Sequence, residues 1–240
     1  MDVRLIRWTL CPDEVVSIGA RLCYSQMDMD RMQEMVAEND QSLYVQKVMD
    51  RGHLSVTEHA VFTFAVEGVS RALLAQLTRH RIASFSVQSQ RYVSMEKGFE
   101  YVIPPSIKAL GAEEEAEYIR EMEQMHAWYC RWQEKLGKKG ESSNEDARFV
   151  LPNAASTRLL VTMNARELLH FFELRCCRRA QWEIRELAWK MLKSCKDVAP
   201  AIFKYAGPPC MYKRCEEGGY SCGKPYTEAE MVELLKREDT

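Results

Sequence analysis

Between residues 59 and 67 the side chains alternate, with Phe62, Phe64 and Val66 on one side and Val61, Thr63 and Ala65 on the other. A period of two over this length predicts a strand with one covered face. Two longer segments repeat at three and four instead. Tyr118, Met122, Met125, Tyr129, Trp132 and Leu136 form a stripe over 112–136, and Ile184, Leu187, Ala188, Met191, Leu192 and Cys195 form a second. Both predict amphipathic helices that must cover something. The two periods mix without strict strand–helix alternation, which predicts an α+β fold with a largely antiparallel sheet flanked by helices.

Punctuation fills in the rest. Residues 3–8 read as a short strand, and 13–22 and 41–51 as helices, the second stopped by Gly52. Gly68 is expected to end the alternating strand, and Ser70 to cap a helix over 71–79. A strand at 101–103 ends at Pro104-Pro105, Asn144 caps a short helix before Pro152, and 159–163 is a buried strand. Asn164 with Glu167 three later resembles a capping box. After Pro200 the character changes, and 207–240 reads as a Cys-containing tail closed by a helix over 227–237.

Composition narrows the function classes. Lys and Arg total 33 against 35 Asp and Glu, a net charge of -2. That balance argues against a surface that attracts nucleic acid or anionic membrane as a whole. No run approaches the ~18 apolar residues of a membrane span, and Met1-Asp2-Val3-Arg4 does not open a secretory signal. Nine scattered Cys suit a reducing, cytoplasmic location with free thiols. Cys210, Cys215 and Cys222 could join a fourth ligand on zinc, but no C-x2-C pair or later His accompanies them. A free-thiol loop is the expectation, with no metal.

Chemistry concentrates at 79–92, where three Arg, one His, three Ser and two Gln fall together. Guanidinium groups fork onto phosphates or carboxylates, and Ser and Gln add neutral donors and acceptors. If 84–91 is extended, Ser84, Ser86, Gln88 and Gln90 share one face. On local composition alone, a solvated polar loop accounts for the segment as well as an anion site does. Neither a G-x-G-x-x-G nor a P-loop is present.

Arg79-His80-Arg81, seven residues, then Ser89-x-Arg91 resembles the signature of the flavin-dependent thymidylate synthases. Four other segments resemble that family in the same order: Ala20-Arg21-Leu22-Cys23-Tyr24; Gly52-His53-Leu54-Ser55-Val56-Thr57-Glu58-His59; Ala147-Arg148-Phe149-Val150-Leu151-Pro152; and Asn164-Ala165-Arg166 through Ala180-Gln181-Trp182-Glu183-Ile184. The resemblance covers 1–206 as one domain and leaves the tail without a role. It implies a homotetramer with active sites between subunits, and methylation of dUMP to dTMP. Methylenetetrahydrofolate would give the carbon and reduced FAD the hydride, with NADPH reducing the flavin again.

By the same resemblance Gln76, Arg79, Gln88, Ser89, Gln90, Arg91 and Arg148 bind dUMP, with Ser89 and Arg91 nearest its phosphate. Ser55, Arg79, His80, Arg81, Asn164, Arg166 and His170 bind FAD, the cationic ones helping to neutralise its phosphates. His53 and Ser84 fall near flavin and folate, although a core or helix-end role suits His53 nearly as well. Arg175 carries the chemistry, holding a cation against uracil O2 or N3. Without the resemblance it reads as one surface arginine beside Arg178 and Arg179. Cys176 and Cys177 invite a thiolate, but no covalent enzyme nucleophile is implied. Val87 stands where some family members place an acid, so a polar contact there falls to Ser86, Gln88 or main chain. A non-catalytic nucleotide- or RNA-binding module and an unrelated α+β protein are the other function classes the residues allow.

Overall fold

The computed structural model describes residues 1–236. The elements in chain order are β1 (Asp2–Trp8), α1 (Pro12–Leu22), α2 (Met29–Ala37), α3 (Ser42–Asp50), β2 (Val61–Ser70), α4 (Arg71–Leu77), β3 (Ala83–Val87), α5 (Pro105–Lys108), α6 (Ala112–Lys135), α7 (Glu141–Ala147), β4 (Ser156–Asn164), α8 (Ala165–Arg175), α9 (Trp182–Val198) and α10 (Glu228–Lys236). The four strands form one antiparallel sheet in the order β1-β2-β4-β3. The register of β2 against β4 is fixed by Ala165 N–H donating to Ala60 O at 2.7 Å and by Arg71 N–H donating to Ala155 O at 3.1 Å. The α+β expectation therefore holds.

The chain divides into two compact units. The first comprises Met1, Val66–Arg79 and Ser86–Leu159; the second comprises Asp2–Ala65, His80–Phe85 and the chain from Leu160 on.

In the second unit the alternation of β2 buries Phe62 and Phe64 completely. Phe203 meets Phe62 edge-on at 5.4 Å and Phe172 of α8 at 5.9 Å. The stripe read from α9 is buried at all six positions, and that helix packs on β1 and α8. In the first unit Tyr129 of α6 is fully buried beside Met95 and Ala147. Ser70 caps α4 as expected, its hydroxyl accepting from Leu73 N–H at 3.0 Å.

Several expectations need correction. β2 does not stop at Gly68 but runs through it to Ser70, because Gly68 adopts φ +69°, which a side chain would resist. Residues 101–103 form no strand; Tyr101 makes a single bridge to Ala155. β4 covers only one face, with Leu160 42% exposed. On α6 the buried positions are Met122, Tyr129 and Gln133, and Trp132 is exposed. Asn144 lies inside α7, buried, and is not its cap. α2, which buries Met32 and Val36 four apart, and the 3-10 turn Leu54–His59 were not anticipated. α10 lies where a closing helix was expected; the proposed end at Arg237 is outside the described residues.

Candidate active site

The second unit carries His53, Ser55, His80, Arg81, Ser84, Asn164, Arg166, His170 and Arg175. Asn164 caps α8, its Oδ1 accepting from Glu167 N–H at 2.9 Å. The reciprocal half of the capping box is not made. The Glu167 side chain turns inward, where its Oε1 lies 2.9 Å from His80 Nδ1. Both residues are buried, at 8% and 5% exposure.

The other ring nitrogen of His80, Nε2, receives a hydrogen bond from Arg175 Nε–H at 3.1 Å. A guanidinium only donates, so Nε2 presents its lone pair and the ring proton belongs on Nδ1, donating to Glu167. The ring is thus neutral. Burial lowers the His80 pKa below its ordinary value; the Glu167 hydrogen bond opposes that shift, and the Arg175 and His170 charges add to it. The Phe171 ring packs edge-on against His80 at 5.0 Å, and His170 lies 6.0 Å away, ring to ring.

The remaining residues of this unit stay near the surface. Arg81 is exposed and its side chain has no hydrogen-bond or ion-pair partner among the described residues. Arg166 is exposed and ion-paired with Glu58. His170 and Ser84 are exposed. His53 and Ser55 line a cavity of about 460 Å³ together with Cys23, Tyr24, Tyr44 and Arg51. Two segments that are distant in sequence, 20–24 and 52–59, therefore meet at one wall. The volume is that of a small-molecule pocket.

The first unit carries Gln76, Arg79, Gln88, Ser89, Gln90, Arg91 and Arg148. Arg79 is exposed without a side-chain partner among the described residues. Gln76 is half-buried on α4. The extended run stops at Val87, which is half-buried, so the shared face read over 84–91 is realised only at Ser84 and Ser86. Gln88 N–H donates to Arg158 O at 3.0 Å. The chain then turns. Ser89 Oγ accepts from Arg91 N–H at 3.1 Å, and Gln90 is buried with its Nε2 unpartnered among the described residues.

Arg91 is ion-paired with Glu141 at 2.7 Å and Glu145 at 2.9 Å, both on α7. Its carbonyl accepts from Asn144 Nδ2 at 3.0 Å. Asn144 Oδ1 in turn accepts from Tyr129 Oη at 3.2 Å and Gln133 Nε2 at 2.6 Å. A buried amide–phenol network thus fixes the main chain at Arg91. Arg148 follows α7, its Nε donating to Glu145 O at 3.1 Å.

Sequence reasoning missed several participants. Glu167 was read only as a capping residue, and nothing local marks it as the partner of His80, 87 positions away. Tyr44, Lys47 and Arg51 line the His53 cavity from α3 and just beyond it; their spacing of three and four was the available signal. Arg71, at the start of α4, stands close enough to Arg148 for that charge, after burial, to lower its pKa. Of the paired cysteines, burial pushes the Cys176 thiol well up, away from thiolate chemistry. Among the described residues no group of three or more potential metal ligands converges.

The profile of a family described as "Thymidylate synthase complementing protein" matches residues 4–201. A relative from Geobacter sulfurreducens, named flavin-dependent thymidylate synthase, is 48% identical over 99% of each chain. Relatives of the same name from Clostridium tetani and Sulfolobus acidocaldarius are 45% and 40% identical, over 93% and 88% of this chain and 94% and 78% of theirs.

Proposed function

The chain belongs to the flavin-dependent thymidylate synthase family, and from that premise we propose that it methylates dUMP to dTMP. Methylenetetrahydrofolate is the carbon donor and NADPH the reductant. The reading rests above all on the intact signature Arg79-His80-Arg81 through Ser89-x-Arg91 in a chain matched to the family over 4–201.

The residues present fit a flavin. Arg79 and Arg81 are exposed cations without carboxylate partners among the described residues, suited to phosphate. Asn164 stands at the start of α8, where helix amides favour an anion. Ser55, Arg79, Arg81, Asn164, Arg166 and His170 would hold FAD. His80 would contribute through its main chain, since its buried neutral ring has no charge to offer. When bound, FAD supplies the hydride that completes the methyl group. His53 and Ser84 lie on the folate and flavin side.

The nucleotide falls to Gln76, Arg79, Gln88, Ser89, Gln90, Arg91 and Arg148, with Arg91 and Ser89 at the phosphate. The Val87 side chain, half-buried at the end of β3, offers no acceptor. Arg175 holds its charge against O2 or N3 of uracil and stabilises the N3-deprotonated, enolate-like form. Electron density then rises at C5, the atom that takes up the one-carbon unit. What sets Arg175 apart from its neighbours is its Nε bond to a buried, neutral imidazole. No enzyme nucleophile is required, in keeping with the protonated Cys176.

The purified protein is expected to be yellow, to bleach with NADPH, and to convert dUMP to dTMP only with methylenetetrahydrofolate present. NADPH oxidation that ignores dUMP and folate, with no dTMP formed, would refute this assignment.

A further inference from the structure

We propose that Glu167 and His80 are positioning residues for Arg175: the Glu167 carboxyl fixes the His80 ring with its proton on Nδ1, and Nε2 holds the Nε–H of Arg175. This rests on the reading of Arg175 as the cation that polarises uracil.

The geometry allows one order of protons. Arg175 Nε–H donates to His80 Nε2 at 3.1 Å, so Nε2 has no hydrogen. The ring's one proton sits on Nδ1, 2.9 Å from Glu167 Oε1. The partner at one ring nitrogen sets the tautomer at the other. The Phe171 ring, edge-on at 5.0 Å, restricts rotation of the imidazole.

A guanidinium is planar and includes Nε in its plane, so an anchor at Nε orients the whole group. The bond uses Nε and neither terminal nitrogen. Arg175 ends α8 on a long, flexible side chain; one fixed in this way meets the charge developing on a substrate without reorganising first.

Glu167 adds an independent observation. As the third residue of α8 it is placed to reach back and complete the helix cap. It leaves that bond unmade, and is buried with the His80 ring as its hydrogen-bond partner. A local rule broken at a buried carboxyl marks a site where another requirement prevails.

The test uses FAD-loaded enzyme and 5-fluoro-dUMP, whose N3 ionisation is read by fluorine NMR, alongside kcat for dUMP. Glu167→Gln and His80→Ala are expected to lower the ionised fraction of the bound probe, and kcat by at least about tenfold, without loss of probe affinity. His80→Ala is expected to cost nothing further in an Arg175→Ala background, because it acts through that residue.

The outcomes separate the two claims. If Arg175→Ala itself leaves probe ionisation and turnover intact, the polarising role of Arg175 fails. If Arg175→Ala abolishes both while Glu167→Gln and His80→Ala behave as the parent, only the positioning claim fails. An equal loss from His80→Ala with or without Arg175 also overturns it. Should Glu167→Gln not fold, His80→Gln takes its place. Its amide can accept from Arg175 and donate to Glu167, so it is expected to retain turnover that His80→Ala loses; a His80→Gln no better than His80→Ala overturns the proposal.

Discussion

Arg91 illustrates how pairing moderates the worth of a cation. A hydrogen bond to a charged group contributes about 1.5–3 kcal/mol. Yet Arg91 is 43% exposed on its side chain and already pairs with Glu141 and Glu145, so a nucleotide phosphate must compete with two carboxylates. The lower end applies: Arg91→Ala is expected to raise the dUMP dissociation constant by about tenfold. Titration calorimetry with FAD-loaded enzyme checks it, and unchanged affinity would remove Arg91 from the phosphate site. His80 makes the second prediction at this scale. Its folded pKa lies below the ordinary 6.5, chiefly through burial, so above about pH 6.5 it is neutral folded or unfolded and adds no pH dependence. Below that, the unfolded chain takes up a proton the folded one resists, and stability falls with pH. Glu230, held at about 2 by the Thr227 main-chain amide and by Arg178, loses its contribution only below 4.5, so the windows are separate. Urea midpoints measured from pH 7 to 5 are expected to fall less steeply in His80→Gln than in the parent; parallel slopes would contradict a buried neutral His80.

At the scale of elements, the Asn144 network explains both a misreading and a prediction. The aromatic stripe of α6 favours Trp132, three residues after Tyr129, over Gln133, four after it. The helix buries Gln133 with its Nε2 donating to Asn144, Tyr129 and Ser94, a partnership no periodicity reveals. Asn144→Ala removes the acceptor shared by Tyr129 and Gln133. Leaving buried polar groups unpaired costs about 1–3 kcal/mol, expected as a drop in thermal midpoint of roughly 2–4 °C per kcal/mol. The variant is also expected to weaken dUMP binding, because the Arg91 carbonyl loses its anchor; normal affinity at lower stability would show that the network serves folding alone. Where burial is one-sided and continuous, as on β2 and α9, period alone located the element and its inward face. Where a carboxyl leaves its cap for a distant imidazole, as at Glu167, the cause lies in a tertiary partner that local pattern does not contain. The tail was legible as an irregular segment closed by a helix, not in what it packs against. Its packing shows in Tyr226, whose hydroxyl donates to Cys176 O at 3.1 Å and whose ring lies under the Arg178 guanidinium at 4.0 Å, so the tail fastens onto the turn that follows Arg175.

For the whole molecule, the charge balance and the exposed apolar side chains bear on assembly. A net charge of -2 provides little electrostatic repulsion between copies. Leu10, Tyr24 and Phe149 are each more than four-fifths exposed, and large apolar side chains left in water favour a surface that covers them. Phe149 lies beside Arg148, and Tyr24 lines the His53 cavity, so covering these positions would bring a second chain to residues assigned to nucleotide and flavin. The homotetramer implied by the family resemblance, with sites that draw on more than one subunit, is therefore open to a direct test. Light scattering of the FAD-loaded protein is expected to give the mass of four chains. Phe149→Asp is expected to reduce that mass, since burying an unpaired carboxylate at an interface costs several kcal/mol, and to lower dUMP turnover with it. A monomer that is fully active at the concentration of measurement would refute the shared-site assembly while leaving the chemistry assigned to Arg175 untouched.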